Sequence, residues 1–297
     1  MVGTDRMMNK AVFRPVLGLM AWGATACAVL AGEGRPQPWQ KGLQEPVTPV
    51  AQNINSFHDL LLWLSIIISL FVLALLVIVV VRFRETVHPT PSKTTHNTLI
   101  EVVWTVAPVL ILVVISIPSF RLLKEQMIIP KSDITIKVTG KQWYWTFEYA
   151  KDSGGITFDT LMLSDEDIAK AIKNGGKKED YPRLLAVDNE TVVPVNKVVR
   201  VQVTAADVLH AFAVQSFGVK VDAVPGRLNE TWFKATQEGV YYGQCQELCG
   251  KDHAFMPLVF RVVSQEKYEA WMKDAQKKFA SSSAPVRQVA ASADLAR

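Results

Sequence analysis

Leu60 to Val81 runs without a single charged residue. A helix needs about 20 predominantly apolar residues to cross the hydrocarbon core of a bilayer, so this run has the length and composition of a membrane span. Val102 to Phe120 is a second uncharged run, slightly shorter than the first. It contains Pro108 and Pro118, which spanning helices tolerate where neighbours re-satisfy the freed backbone groups. A buried helix of a soluble protein is the competing reading of each run, and the lengths argue against it. The sequence therefore predicts a helical hairpin over 58–123, with spans near 60–81 and 100–120 and a polar connection over 82–98. Both outer ends of such a hairpin lie on the same side of the membrane.

Lysine and arginine hardly decide which side that is. Arg82, Arg84 and Lys93 lie in the connection, while Arg121, Lys124 and Lys131 follow the second span, and the positive-inside count is close to even. The first residues supply the missing information. Arg6, Lys10 and Arg14 precede an apolar stretch from Pro15 to Leu30, and Val29-Leu30-Ala31 offers a small-residue cleavage site. This pattern fits an export signal over 1–31 better than a third anchor, because the apolar stretch is short and rich in Ala and Gly. A lipoprotein reading through Cys27 is weaker, since Ala24-Thr25-Ala26 lacks the usual leucine. Export places 32–57 outside, the connection in the cytoplasm, and everything after Phe120 outside again.

The segment over 127–280 reads mainly as β-structure. Short runs rich in Val, Ile and aromatics recur at 134–139, 143–149, 198–204, 231–235, 240–243 and 258–263, the pattern of a sandwich or a closed barrel. Two helices interrupt it: Ser164 caps 165–173, which Gly175-Gly176 ends, and Ser264 caps a helix from about 265 to 279. The Ala- and Ser-rich stretch over 281–297 is expected to be disordered. The formal net charge of +4 gives no case for nucleic acid, and no phosphate-cradling glycine motif is present.

Tyr241 to Met256 reads YYGQCQELCGKDHAFM. Cys245, Cys249, His253 and Met256 thus fall close together in one short segment. Soft thiolate, imidazole and thioether suit copper cycling between two oxidation states. A second cysteine four residues from the first allows two thiolates to bridge two metals, and each metal then needs a terminal imidazole. His253 is one candidate. His210, at a strand end in ADVLHAFAV, is the other, because His58, His88 and His96 flank the spans. A Cys245–Cys249 disulfide is the plain alternative in an exported domain. Zinc is another, although it seldom takes Met and C-x-x-x-C is not its usual spacing. Met256 as core packing is a third.

These residues resemble subunit II of the haem–copper cytochrome c oxidases of the alphaproteobacterial and mitochondrial type. The resemblance runs over about 50–275 and rests on HNTLIEVVWTVAPVLIL, GKQWYWTFEY, ADVLHAFAV, GVKVDAVPGRLNETW and GQCQELCGKDHAFMP. It implies an all-β cupredoxin-like Greek-key barrel on the exported side, after the transmembrane hairpin. It further implies a binuclear copper centre bridged by Cys245 and Cys249, with His210 and His253 as terminal ligands. Met256 and the backbone carbonyl of Glu247 would be the weak ligands. The Glu247 side chain would hold Mg²⁺ or Mn²⁺ at the boundary with subunit I. Trp143 would admit electrons from cytochrome c, which would dock against Glu148, Asp159, Asp188 and Asp207. Net charge lends that patch no support, since basic and acidic residues balance between Lys124 and Lys278. Glu101, just inside the second span, would stand at the mouth of a proton path into subunit I; interfacial snorkelling is its plainer reading. The implied partners are subunit I with its haems and Cu-B, subunit III, cytochrome c and the lipid bilayer, in a bacterial inner membrane with the copper domain on the periplasmic side.

Three departures and three rival families accompany the resemblance. The family's GHQW is Gly140-Lys141-Gln142-Trp143 here, a Lys-rich insertion-like segment falls between Asp152 and Pro182, and no C-x-x-C-H follows the copper loop. An exported thioredoxin-like copper chaperone would have one span, and its cysteines would precede a helix. A quinol oxidase subunit II would have lost the copper ligands, and a nitrous oxide reductase would lack the hairpin.

Overall fold

The computed structural model of the chain describes residues 33–280, so the expected signal over 1–31 and the expected disordered tail over 281–297 lie outside the described residues. A two-residue strand, β1 (Glu33–Gly34), comes first. Thr48 then starts α1 (Pro49–Arg82): its hydroxyl oxygen accepts from Ala51 N at 3.0 Å and its hydroxyl donates to Phe217 O at 2.8 Å. Proline at the first helical position is harmless, because that N–H has no helical partner anyway. α1 therefore begins well before its uncharged run, and its first turn, with Val50 and Ala51 buried, packs on the β-domain rather than in lipid.

α2 (Thr98–Met127) runs through both Pro108 and Pro118. Both helices are long and apolar enough to cross a membrane, at ~1.5 Å rise per residue. Their Leu, Ile, Val and Phe side chains are exposed along the spans, as expected of surfaces meant for lipid or for another membrane subunit. Asn53 Nδ2 donates to Glu125 Oε2 at 2.8 Å, and Trp232 Nε1 donates to Glu125 O at 3.3 Å. These contacts tie the start of α1 to the end of α2 and both to the β-domain, as the hairpin reading requires.

The β-domain continues with β2 (Ile134–Lys141), β3 (Tyr144–Tyr149), β4 (Thr157–Thr160), α3 (Asp165–Lys173), β5 (Thr191–Pro194), β6 (Val199–Ala205), β7 (His210–Val214), β8 (Val219–Ala223), β9 (Asn229–Phe233), β10 (Gly239–Gln244), β11 (Pro257–Val263) and α4 (Gln265–Ala280). One sheet has the order β4-β3-β2-β6-β9; the other has β5-β11-β10-β7-β8, with β1 added alongside β10. The pairings β2–β6, β11–β5 and β1–β10 are parallel and the rest antiparallel. The two sheets face each other across a core in which Phe147 meets Phe260 edge-on, and Trp145 meets Phe212 edge-on. β2 and β6 bury every second residue, the period-2 signal of a half-buried strand.

The strap before α1 fastens hairpin to domain. Val47 is buried, its N–H donates to Ser216 O at 3.0 Å, and Thr236 N donates to Val47 O at 2.9 Å. Gly218, at φ 68°, lies under Ala51: a Cβ there would come within 2.9 Å of the Ala51 Cα. Glycine is thus required twice over, by the left-handed backbone and by the close approach of the helix.

Candidate metal centre

β10 and β11 are antiparallel, with Gln244 opposite Pro257. The segment 245–256 is therefore a hairpin loop whose two ends are pinned in register. A long loop held by a rigid scaffold is where binding residues concentrate. β7 lies on the other side of β10, joined at Val214–Gly243, and Gln246 N donates to Ala211 O at 3.1 Å. His210, the first residue of β7, is thereby brought to the root of the loop.

His210, Cys245 and Cys249 place their ligand atoms within 4.8 Å of one another, and all three are buried. Cys245 Sγ is 3.9 Å from His210 Nδ1 and 3.9 Å from Cys249 Sγ. Cys249 Sγ is 3.5 Å from His253 Nδ1 and 3.5 Å from Met256 Sδ. The Cys245 thiol is 3.2 Å from the carbonyl oxygen of Glu247. The six groups expected from the sequence thus converge at one spot. Both thiols are free, and their 3.9 Å separation is far from the ~2.05 Å of a disulfide. The plain alternative for the cysteine pair is not what the fold makes. A set of two thiolates, two imidazoles and a thioether is soft and suits copper.

The protein positions these donors from behind. His210 Nε2 is 2.9 Å from Asp207 Oδ1. A carboxylate can only accept there, so Nε2 carries the proton and Nδ1 keeps its lone pair toward the sulfurs. Gly140 leaves room for the ring: a Cβ on it would lie 2.9 Å from His210 Cγ. Trp145 Nε1 donates to Met256 O at 3.0 Å while its ring packs edge-on against His210. Burial raises the Cys245 thiol, yet hydrogen bonding to His210 and to backbone groups outweighs that and brings it down to about 7. Burial, together with the charge of Cys245, pushes Cys249 up to about 12. The two thiols thus differ in acidity, and a bound cation would favour both as thiolates, as ligand deprotonation on metal binding requires.

Trp143 is half-buried beside the loop. Its Nε1 donates to Cys249 O at 3.2 Å, and Gln142 Nε2 donates to the same oxygen at 2.9 Å. Gly250, at φ 126°, lies against the indole, where a Cβ would come within 2.9 Å of Cζ2. The four expected docking acids are placed differently from one another. Glu148 pairs with Lys137 at 3.0 Å, and Asp159 accepts from Thr146 Oγ1 at 2.6 Å. Asp188 accepts from Leu161 N at 2.8 Å, and burial raises its pKa above the ordinary aspartate range. Asp207 takes hydrogen bonds from Gln142 N, Val208 N and His210. Burial opposes its charge, but those hydrogen bonds prevail and hold its carboxyl below the ordinary range.

Sequence reasoning placed Asp207 on the docking surface and overlooked its contact with His210. It also overlooked Gln142, Trp145, Gly140 and Gly250 as supports of the site. The i,i+3 spacing of Asp207 and His210 was the available signal. Asp207→Ala is expected to weaken copper retention by about 10- to 100-fold against a chelator, the usual loss when a ligand histidine's partner is removed. Asp207→Asn, which keeps an acceptor oxygen, should lose far less. A purely docking acid would leave retention unchanged in both.

Glu101 is remote from this site, near the start of α2. Its carboxylate accepts from Asn97 N at 3.3 Å, while Asn97 Oδ1 accepts from Ile100 N at 3.2 Å. An acid in the first turn also suits the positive end of the helix dipole, so Glu101 has a structural contact beside any other role.

Residues 134–263 match the family model described as cytochrome C oxidase subunit II, periplasmic domain, and residues 36–122 match its transmembrane domain. A probable cytochrome c oxidase subunit 2 of Rickettsia bellii is 50% identical over 242 residues, covering 82% of this chain and 86% of the relative. Cytochrome c oxidase subunit 2 of Cereibacter sphaeroides is 43% identical over 272 residues, covering 87% of this chain and 88% of the relative. The crystal structure of the periplasmic domain of subunit II of cytochrome oxidase of Bradyrhizobium japonicum is 58% identical and covers 51% of this chain and 99% of that one, with a TM-score of 0.45.

Proposed function

The chain belongs to the cytochrome c oxidase subunit II family, and on that premise we propose that its exported domain receives electrons from cytochrome c at a centre of two copper ions. It works as part of the oxidase complex, with the haem-bearing subunit I as the next acceptor and dioxygen reduced to water there. The observation that carries this is the convergence of His210, Cys245, Cys249, His253 and Met256 on one pinned loop and its neighbouring strand. Copper bound there would supply reversible one-electron chemistry. The protein's part is to hold the donors before the metal arrives, so that little rearranges when the charge changes.

Within this reading Cys245 and Cys249 would supply the shared thiolates that hold both copper ions, His210 and His253 would supply one imidazole each, and Met256 and the Glu247 carbonyl would be the weaker donors. The Glu247 side chain offers a hard oxygen donor for Mg²⁺ or Mn²⁺. Val208, Leu209, Leu248 and Phe255 form an exposed apolar rim beside the donors. Such a rim suits a protein partner, and subunit I is the one proposed, with subunit III alongside. The domains are the exported segment over 32–57, the hairpin over 58–123 and the copper domain over 127–280, in a bacterial inner membrane with the copper domain on the periplasmic side. Trp143 is the electron entry point, and Glu148, Asp159, Asp188 and the outer face of Asp207 contribute acidic contacts for cytochrome c.

The copper chaperone reading fits less well. Its cysteines would precede a helix, whereas Cys245 and Cys249 lie in a hairpin loop between β10 and β11 and two apolar helices come first. The complex purified through this chain should oxidise ferrocytochrome c with dioxygen uptake in the ratio that reduction to water requires. A chain that purifies without a haem-bearing partner, or a complex that oxidises no cytochrome c, would contradict the proposal.

Glu101→Ala is expected to slow steady-state turnover several-fold without changing copper content or cytochrome c binding. A carboxylate at the helix end opposite the copper domain can collect protons and pass them inward. Stopped-flow measurement should show normal electron entry and slowed haem reduction. Normal turnover would leave Glu101 with its contact to Asn97 alone.

A further inference from the structure

Trp145 has the largest fully buried side chain among the described residues. It shares the inner face of β3 with Phe147 and Tyr149, which are buried as well. Bulk alone would be served by a phenylalanine, as at Phe147. A buried indole also carries an N–H that needs a partner. Trp145 Nε1 donates to Met256 O at 3.0 Å, at the exit of the ligand loop. Tyr149 makes the parallel contact at the other end of β3, about 13 Å away at the usual strand rise. Its hydroxyl donates to Val192 O at 2.6 Å, in β5 of the facing sheet.

The exit of the loop needs such a fastening. Met256 falls between the short turn His253–Phe255 and β11. The next residue, Pro257, stands opposite Gln244 and has no N–H to give to the ladder. The indole therefore holds the Met256 peptide from across the core. The thioether on that peptide is buried, with Sδ 3.5 Å from Cys249 Sγ. Trp145 also packs its ring edge-on against His210, at 5.9 Å between centroids. His210 has an anchor of its own, however, in Asp207 at 2.9 Å. The N–H of Trp145 acts on Met256.

We propose that Trp145 is a positioning residue for Met256: through its hydrogen bond to the Met256 carbonyl it fixes where the thioether sits, and so sets the reduction potential of the metal centre. This deepens the copper reading of the domain and rests on it. A weak axial sulfur tunes a copper site's potential, so its placement matters more to the potential than to metal retention. Without the indole donor the Met256 carbonyl is buried and unpaired. That cost is large enough for the peptide to turn toward another partner, and the thioether moves with it.

The test is a redox titration of the purified complex, followed optically and by electron paramagnetic resonance. It compares wild type with Trp145→Phe, Met256→Leu, the two combined, and Tyr149→Phe. Trp145→Phe should keep both coppers and change the one-electron equilibrium constant of the centre by about tenfold, equivalent to about 59 mV. The shift should have the same direction as that of Met256→Leu. In the combined variant Trp145→Phe should add nothing to Met256→Leu, because residues that act through one contact are not additive. Tyr149→Phe loses a like hydrogen bond between the same two sheets, and it should leave the potential unmoved. A Trp145→Phe complex that melts earlier yet keeps the wild-type potential would overturn the proposal, leaving Trp145 as core. A shift that persists in full beside Met256→Leu would overturn it too, by placing the effect on His210. So would a Trp145→Phe chain that fails to assemble with copper, since the residue would then hold the barrel rather than tune the site. A wild-type complex without two coppers on this chain would instead tell against the copper reading itself.

Discussion

Cys249→Ser is expected to abolish the proposed two-copper centre. Cys249 is the hub of the donor cluster: its sulfur lies 3.9 Å from Cys245 Sγ, 3.5 Å from His253 Nδ1 and 3.5 Å from Met256 Sδ. A serine hydroxyl is harder and far less acidic than a thiol, so copper loses its preferred donor at the point where three others converge. The substitution is nearly isosteric at a buried position, so the sheets should stay folded and the loss should be one of chemistry. Copper content should fall to one per chain or none, and any remaining signal should belong to a single metal. Met256→Leu is the contrast. It conserves volume at a buried position, a change that usually costs less than about 1.5 kcal/mol. On the proposed assignment it removes only a weak tuning ligand, so two coppers should remain with an altered reduction potential. If Cys249→Ser kept two coppers and the shared signal, the bridging role would be wrong.

Trp143→Gln should leave copper content unchanged and slow electron entry from cytochrome c by orders of magnitude. The indole joins the domain surface to the ligand loop through a single hydrogen bond, Nε1 to the carbonyl of Cys249 at 3.2 Å. Gly250 permits that contact, since any side chain there would strike the ring. Glutamine can reproduce a hydrogen bond to the carbonyl but not an extended π-surface for a haem edge. Gln142 already donates to the same oxygen, so the loop should keep its shape. Stopped-flow mixing with ferrocytochrome c reads the rate directly. A variant that oxidises cytochrome c at the wild-type rate would move the entry point elsewhere.

The membrane hairpin and the copper loop were legible because each announces itself within a few adjacent residues. Uncharged runs of spanning length are rare outside membranes, and two Cys, a His and a Met crowded between Cys245 and Met256 are informative wherever they occur. α3 was legible for a local reason too: Ser164 Oγ accepts from Asp167 N at 3.1 Å, the cap its sequence advertises. β5 and β7 were not found as strands, because Thr191–Pro194 and His210–Val214 are buried at every residue. A strand covered on both faces loses the alternation that identifies it. His210 was expected at a strand end and is the first residue of β7, where pairing with β8 holds it. The start of α1 was missed because Thr48 and Pro49 precede the apolar run, and nothing local says that this turn packs on Gly218. Asp207 shows the same limit. Its charge is visible in the sequence, but its hydrogen bond to His210 exists only after the fold brings both against the loop.

The most direct test of the account is the copper stoichiometry of the purified complex, taken together with its electron paramagnetic resonance. Two coppers per copy of this chain, in addition to metal assigned to other subunits, with one unpaired electron shared over both, is the predicted result. One copper per chain, or a Cys245–Cys249 disulfide in the copper-loaded protein, would contradict it.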